Sequence, residues 1–135
     1  MDNVLCAPTA AECAYAAAFI DADGCLTVYR SEQSKGGCRW QVKVCQSGKN
    51  GKEPLTMIQS RWGGSLYMTN SKTNLGQCDM WGLSISGIDA AILLMDIEPY
   101  MTVKRQKAQS ALKHYWSNPK FYRVLARIYG EKPHA

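Results

Sequence analysis

The sequence predicts an α+β protein, an antiparallel sheet built from hairpins with helices on one face. Three observations predict it. Two pairs of short segments, 25–30 with 38–46 and 65–69 with 78–84, alternate apolar and polar residues, and a polar, glycine-containing loop joins each pair. Capped or glycine-broken helical stretches stand before, between and after these pairs. No linker or low-complexity run divides the 135 residues, which predicts one domain over 1–135, with a core over about 10–116 and a basic helical extension over about 117–130.

The elements follow in order. Thr9-Ala10-Ala11-Glu12 has the form of a capping box, opening a helix over 10–22 of high intrinsic propensity. Residues 25–30 form a strand, and 31–37 a polar loop. Over 38–46 the alternation sets Trp40, Val42 and Val44 on one face and Arg39, Gln41, Lys43 and Cys45 on the other. A turn at 48–51 leads to a helix over 53–62 that Gly63-Gly64 breaks. Strands over 65–69 and 78–84 flank a loop over 70–77, and Trp40, Leu66, Trp81 and Leu83 are expected in the core. Ser86 is a candidate N-cap for a helix over 88–97, which Pro99 ends. Two basic helices over 104–116 and 120–129 close the chain.

A hydrophobic content of 46% with 20% charged residues excludes a disordered chain. No apolar run approaches a membrane span and no secretory signal opens the sequence, so no membrane partner is expected. The six cysteines (Cys6, Cys13, Cys25, Cys38, Cys45, Cys78) form no C-x-x-C pair, and only His114 and His134 could complement them. That argues against zinc and for buried free thiols in an intracellular, reducing compartment. Charge is uneven: residues 1–100 carry a net −2 and residues 101–135 a net +7, which points to a polyanionic partner.

The chemistry concentrates in Ala16-Ala17-Ala18-Phe19-Ile20-Asp21-Ala22-Asp23-Gly24. A helix C-terminus carries partial negative charge, so two acids there call for a compensating partner. Small residues upstream let another backbone approach, so two such helices could gather their acids around a metal ion. A calcium loop starting at Asp21 fails, because Leu26 stands where the sharp turn needs glycine and Cys25 where an oxygen ligand belongs.

This nine-residue string resembles the signature of the LAGLIDADG homing endonucleases, with Asp23 at the metal-binding acid. The resemblance extends through Gln46, Gly63-Gly64, Glu98-Pro99-Tyr100-Met101-Thr102-Val103-Lys104 and Gln106-Lys107. It implies an αββαββα fold with a saddle-shaped sheet, plus an additional C-terminal helix. It implies a homodimer, since this chain has one motif and the family builds its site from two, with Ala14, Ala17, Ala18 and Asp21 at the interface. Ala16 and Ala18 depart from the usual leucine and glycine, and an added methyl widens a helix crossing. By the same resemblance Asp23 and the Ala22 carbonyl bind Mg²⁺, with Mn²⁺ an alternative and Ca²⁺ able to bind without supporting cleavage. Gln46 positions solvent or metal, Lys104 stabilises charge or tunes the attacking water, and Lys49 or Asn50 is a further polar candidate. Asp21 supports the helix end.

Exposed strand faces would then read the major groove of double-stranded DNA, where each base pair has its own donor and acceptor pattern. Alternation points Thr27, Tyr29, Arg39, Gln41, Lys43, Ser65, Tyr67 and Thr69 away from the core, with Arg39 suited to guanine and Gln41 to adenine. Lys72, Lys113 and Lys120 are candidates for phosphate contacts. The expected function is a site-specific, metal-dependent endonuclease leaving short 3′ overhangs in a long pseudo-palindromic target, intron-encoded. The alternative is a binding protein on the same fold, an RNA maturase with intron RNA as partner or a non-cleaving regulator.

Overall fold

The computed structural model describes residues 7–30, 38–48, 50–73 and 76–130, with backbone alone at 29–30, 38, 70–73 and 76–79. Helix α1 (Ala10–Asp23) leads into strands β1 (Gly24–Arg30) and β2 (Cys38–Ser47), then α2 (Lys52–Trp62), β3 (Ser65–Thr73), β4 (Gly76–Ser86) and α3 (Gly87–Ile97). A 3₁₀ turn (Glu98–Tyr100) precedes α4 (Arg105–Tyr115) and α5 (Pro119–Tyr129). The four strands form one antiparallel sheet in the order β1-β2-β4-β3. Helices α1, α2 and α3 pack on its one face, and α5 packs on α3.

The core lies between sheet and helices. Leu26, Val42, Val44, Leu83 and Ile85 point down from the strands onto Ile20, Leu55, Ile58 and Leu93. Each such side chain contributes roughly 1.5–3 kcal/mol on burial, and that sum sets the sheet's register, because a one-residue slip would turn the whole row outward. Trp40, Leu66 and Trp81 are only partly buried, packed against the edge of this core.

The capping box is present: Glu12 N–H donates to Thr9 Oγ1 (3.1 Å) and Thr9 N–H to Glu12 Oε1 (3.0 Å). Glu12 also pairs with Arg61, tying the start of α1 to the end of α2.

Three expectations need correction. The second hairpin is longer than its apolar alternation, because polar residues continue the ladder from Asn70↔Asp79 to Thr73↔Gly76 beyond the helices that bury its base. Ser86 occupies the N-cap of α3, but its hydroxyl makes no cap bond and instead accepts from Gln41 Nε2 (3.4 Å). Free thiols are found at Cys13, Cys25 and Cys45, yet only Cys13 is buried, since strand parity turns Cys25 and Cys45 to the open face. Cys6 lies outside the described residues, as do the side chains of Cys38 and Cys78.

Candidate active site and nucleic-acid interface

Helix α1 passes into β1 without a loop. Gly24 is extended (φ −83°, ψ 165°), and a β-carbon there would come 2.6 Å from the carbonyl oxygen of Ile20. Only glycine lets the strand leave so close to the helix end, and this places Asp23 at the rim of the sheet. Asp23 is exposed, and its Oδ2 accepts from Gln46 Nε2 (2.9 Å). Gln46 is near the end of β2, where pairing of Gly24 with Val44 brings it diagonally past the α1 terminus. The structure therefore joins Asp23 and Gln46 directly.

Asp21 solves its own electrostatic problem differently. Its carboxylate accepts from Thr102 N–H (2.9 Å), Thr102 Oγ1 (2.7 Å), Val103 N–H (3.1 Å) and Lys104 N–H (2.8 Å). Lys104 Nζ in turn donates to the Asp21 main-chain oxygen. Burial acts to raise the Asp21 carboxyl, but the amides of Lys104, Thr102 and Val103 and the Thr102 hydroxyl overcome it and hold the group well below the usual carboxylate range. An acid misplaced at the end of α1 is thus well placed at the start of α4. The sequence pattern gave no sign of Thr102 and Val103 as its partners, because the contact spans some eighty residues.

The sheet's open face is a lattice of cross-strand rows. One row runs Thr27–Gln41–Ser86, the next Cys25–Lys43–Ser84–Ser65, and the next Cys45–Gly82–Tyr67. Thr27, Arg39, Lys43, Ser65 and Thr69 are exposed as alternation predicts, with Gln41 and Tyr67 half-buried. Gln41 Nε2 donates to Ser84 Oγ (2.9 Å), which leaves its carbonyl oxygen as the outward group, so two-pronged pairing with adenine would require that bond to open. Tyr67 lies across the row: a β-carbon at Gly82 would fall 2.3 Å from its Cζ. Burial first, then the neighbouring Cys45 thiol, push the Tyr67 phenol above its ordinary value. Ser84 and Ser86 were not among the expected readers, although the same parity that selects Ser65 could have found them.

No family model matches the sequence, and no curated protein matches it. Solved structures do. Homing endonuclease I-CvuI in complex with its target in the presence of Ca matches with TM-score 0.57 and 24% identity, over 93% of this chain and 87% of that one. I-CvuI with the I-CreI target in the presence of Mg, with the DNA not cleaved, matches with TM-score 0.54 and 27% identity, over 85% and 73%. The archaeal intron-encoded homing endonuclease I-Vdi141I complexed with DNA matches with TM-score 0.54 and 14% identity, over 91% and 86%. In fold the chain is similar to these homing endonucleases, and its nine-residue string resembles the LAGLIDADG signature.

The donors at the end of α1 suit a hard divalent cation. Asp23 Oδ1 and the Ala22 carbonyl are oxygen ligands of the kind Mg²⁺ and Ca²⁺ take, and Gln46 fixes the other Asp23 oxygen. Among the described residues no three His, Cys, Asp or Glu side chains cluster to complete a metal site, so further ligands have to come from water, phosphate or a second chain. Of the residues expected at a helix–helix interface, Ala14 and Ala18 are exposed. Ala17 is 0% exposed within its own chain and Asp21 is half-buried with its carboxylate held by 102–104, whereas Ala11 and Ala22 extend the open stripe. Ala16 is equally buried, packed in the core on the opposite side of α1. Asn50 is exposed in the turn after β2, while Lys49 lies outside the described residues, as do the side chains of Tyr29 and Lys72. Lys113 and Lys120 are exposed on α4 and α5.

Proposed function

We propose that the chain is a site-specific DNA endonuclease that makes metal-dependent double-strand breaks as a homodimer. The observation that carries this reading is the grouping of Asp23, Gln46 and Lys104 around one helix end, beside an open polar sheet. Strand scission at a phosphodiester needs an attacking water, a stabilised pentavalent phosphate and a protonated leaving oxygen. Divalent ions, when bound, supply Lewis acidity and an acidified water. Asp23 and the Ala22 carbonyl would hold the ion, with Gln46 keeping the carboxylate turned toward it. Lys104 brings positive charge to the phosphate. The rows from Arg39 to Thr69 set the register on the duplex, with Lys113 and Lys120 as phosphate contacts. The Ala11, Ala14, Ala18 and Ala22 stripe would meet its copy, bringing two Asp23 side chains together. A long pseudo-palindromic target, short 3′ overhangs and intron encoding belong to the same reading, as does a reducing, intracellular setting for the exposed thiols.

A second reading, a binding protein acting on RNA, draws on the outer helices. Lys107, Lys113, Lys120, Arg123 and Arg127 are exposed, and no acidic residue lies within α4 or α5. The variant Asp23→Asn separates the two readings. It should abolish cleavage while leaving the melting temperature and DNA affinity near those of the parent. A variant that fails to fold would make this acid structural, and one that still cuts would remove it from the site.

A further inference from the structure

Lys104 is held at both ends by a single residue of the helix that carries Asp23. Its main-chain N–H meets the Asp21 carboxylate, and its ammonium meets the Asp21 carbonyl oxygen. That carbonyl is among the last four of α1, which have no partner inside the helix. Lys104 is itself the N-cap of α4, at φ −103° and ψ 13°, and makes no side-chain cap bond. Asp21 takes donors from all three residues leading into α4.

Asp23 and Lys104 sit on segments about eighty residues apart in the chain, and Asp21 links them, two residues from one and hydrogen-bonded to the other. We propose that Asp21 is a positioning residue, which fixes the Lys104 ammonium relative to the Asp23 carboxylate and acts on cleavage only through Lys104. The proposal rests on the endonuclease reading. A simple cap would stabilise the fold whether or not Lys104 had its side chain, and a positioning residue would not retain its effect.

A double-mutant cycle tests this on the full chain with Mg²⁺ and saturating DNA, reading single-turnover cleavage of the parent, Asp21→Asn, Lys104→Ala and the double variant. Asp21→Asn should slow the parent about 10-fold or more, as small displacements of reacting groups do. In the Lys104→Ala background the same change should matter less than about 2-fold, the mark of sites that act as one. Equal losses in both backgrounds, or a loss confined to melting temperature, overturn the proposal. If Asp21→Asn fails to fold, Thr102→Val removes one donor alone and should show the same pattern, weaker. The carbon-13 NMR shift of the Lys104 ε-methylene needs no cleavage: it should move in Asp21→Asn, and an unmoved signal overturns the positioning geometry. A parent that binds DNA and cuts none, while that signal moves, instead overturns the endonuclease reading and leaves the geometry standing.

Discussion

Two acids two residues apart have opposite fates because about half a helical turn gives them different neighbours. Asp21 faces the amides that open α4 and accepts four hydrogen bonds. Asp23, the last residue of α1, meets one amide and open space. A carboxyl held below its unfolded value contributes stability that is present above the unfolded pKa and lost as pH falls through the folded one. The melting temperature of the parent should therefore exceed that of Asp21→Asn at neutral pH. The gap should narrow as pH drops below about 4, the ordinary aspartate range. A gap unchanged down to strongly acidic pH would contradict the role given to these bonds.

At the scale of elements, the helical layer is tied by polar contacts that pattern reading does not see. Asp96 on α3 accepts from Trp62 Nε1 at the end of α2 (2.8 Å) and from the Tyr129 hydroxyl at the end of α5. Burial raises the Asp96 carboxyl despite both bonds, and burial together with Asp96 raises the Tyr129 phenol. Tyr129→Phe removes one bond worth about 1 kcal/mol. Calorimetry should show a melting temperature lower by a few degrees, with Asp23-dependent cleavage retained; an unchanged melt would mean that α5 is held by its apolar contacts, led by Phe121 and Leu125, without this bond. The order of elements was legible in the sequence because capping, alternation and glycine breaks are local: Thr9-x-x-Glu12, the strand at 38–46 and Gly63-Gly64 all stand as written. The polar half of the second hairpin was not legible, because an antiparallel ladder needs backbone partners rather than apolar side chains. The candidate site was half legible. Asp23, Gln46 and Lys104 come from the motif and its sequel, whereas Thr102, Val103 and the Ser84–Gln41 bond depend on contacts between distant segments.

At the scale of the molecule, the sheet leaves one face open, with α1, α2 and α3 packed on the other. The stripe along α1 gives the copy-to-copy contact a direct test. Ala18 is exposed, so Ala18→Glu should cost the fold little, within about 0.5 kcal/mol. Sedimentation should find the parent dimeric on DNA and this variant monomeric, with cleavage lost. A dimeric, active Ala18→Glu would place the contact elsewhere. DNA affinity should also fall linearly with the logarithm of salt concentration, since phosphate neutralisation releases counterions.

The central claim is that Asp23 serves a metal-dependent cut in both strands of a nearly symmetric site. The most direct measurement incubates the purified chain with a library of near-palindromic duplexes, with Mg²⁺ or with EDTA, and sequences the ends. Double-strand cuts that need the metal, share one stagger and centre on one sequence are the predicted result. Enrichment of bound sequences without any cut ends would contradict it, and would leave this fold as a platform for binding alone.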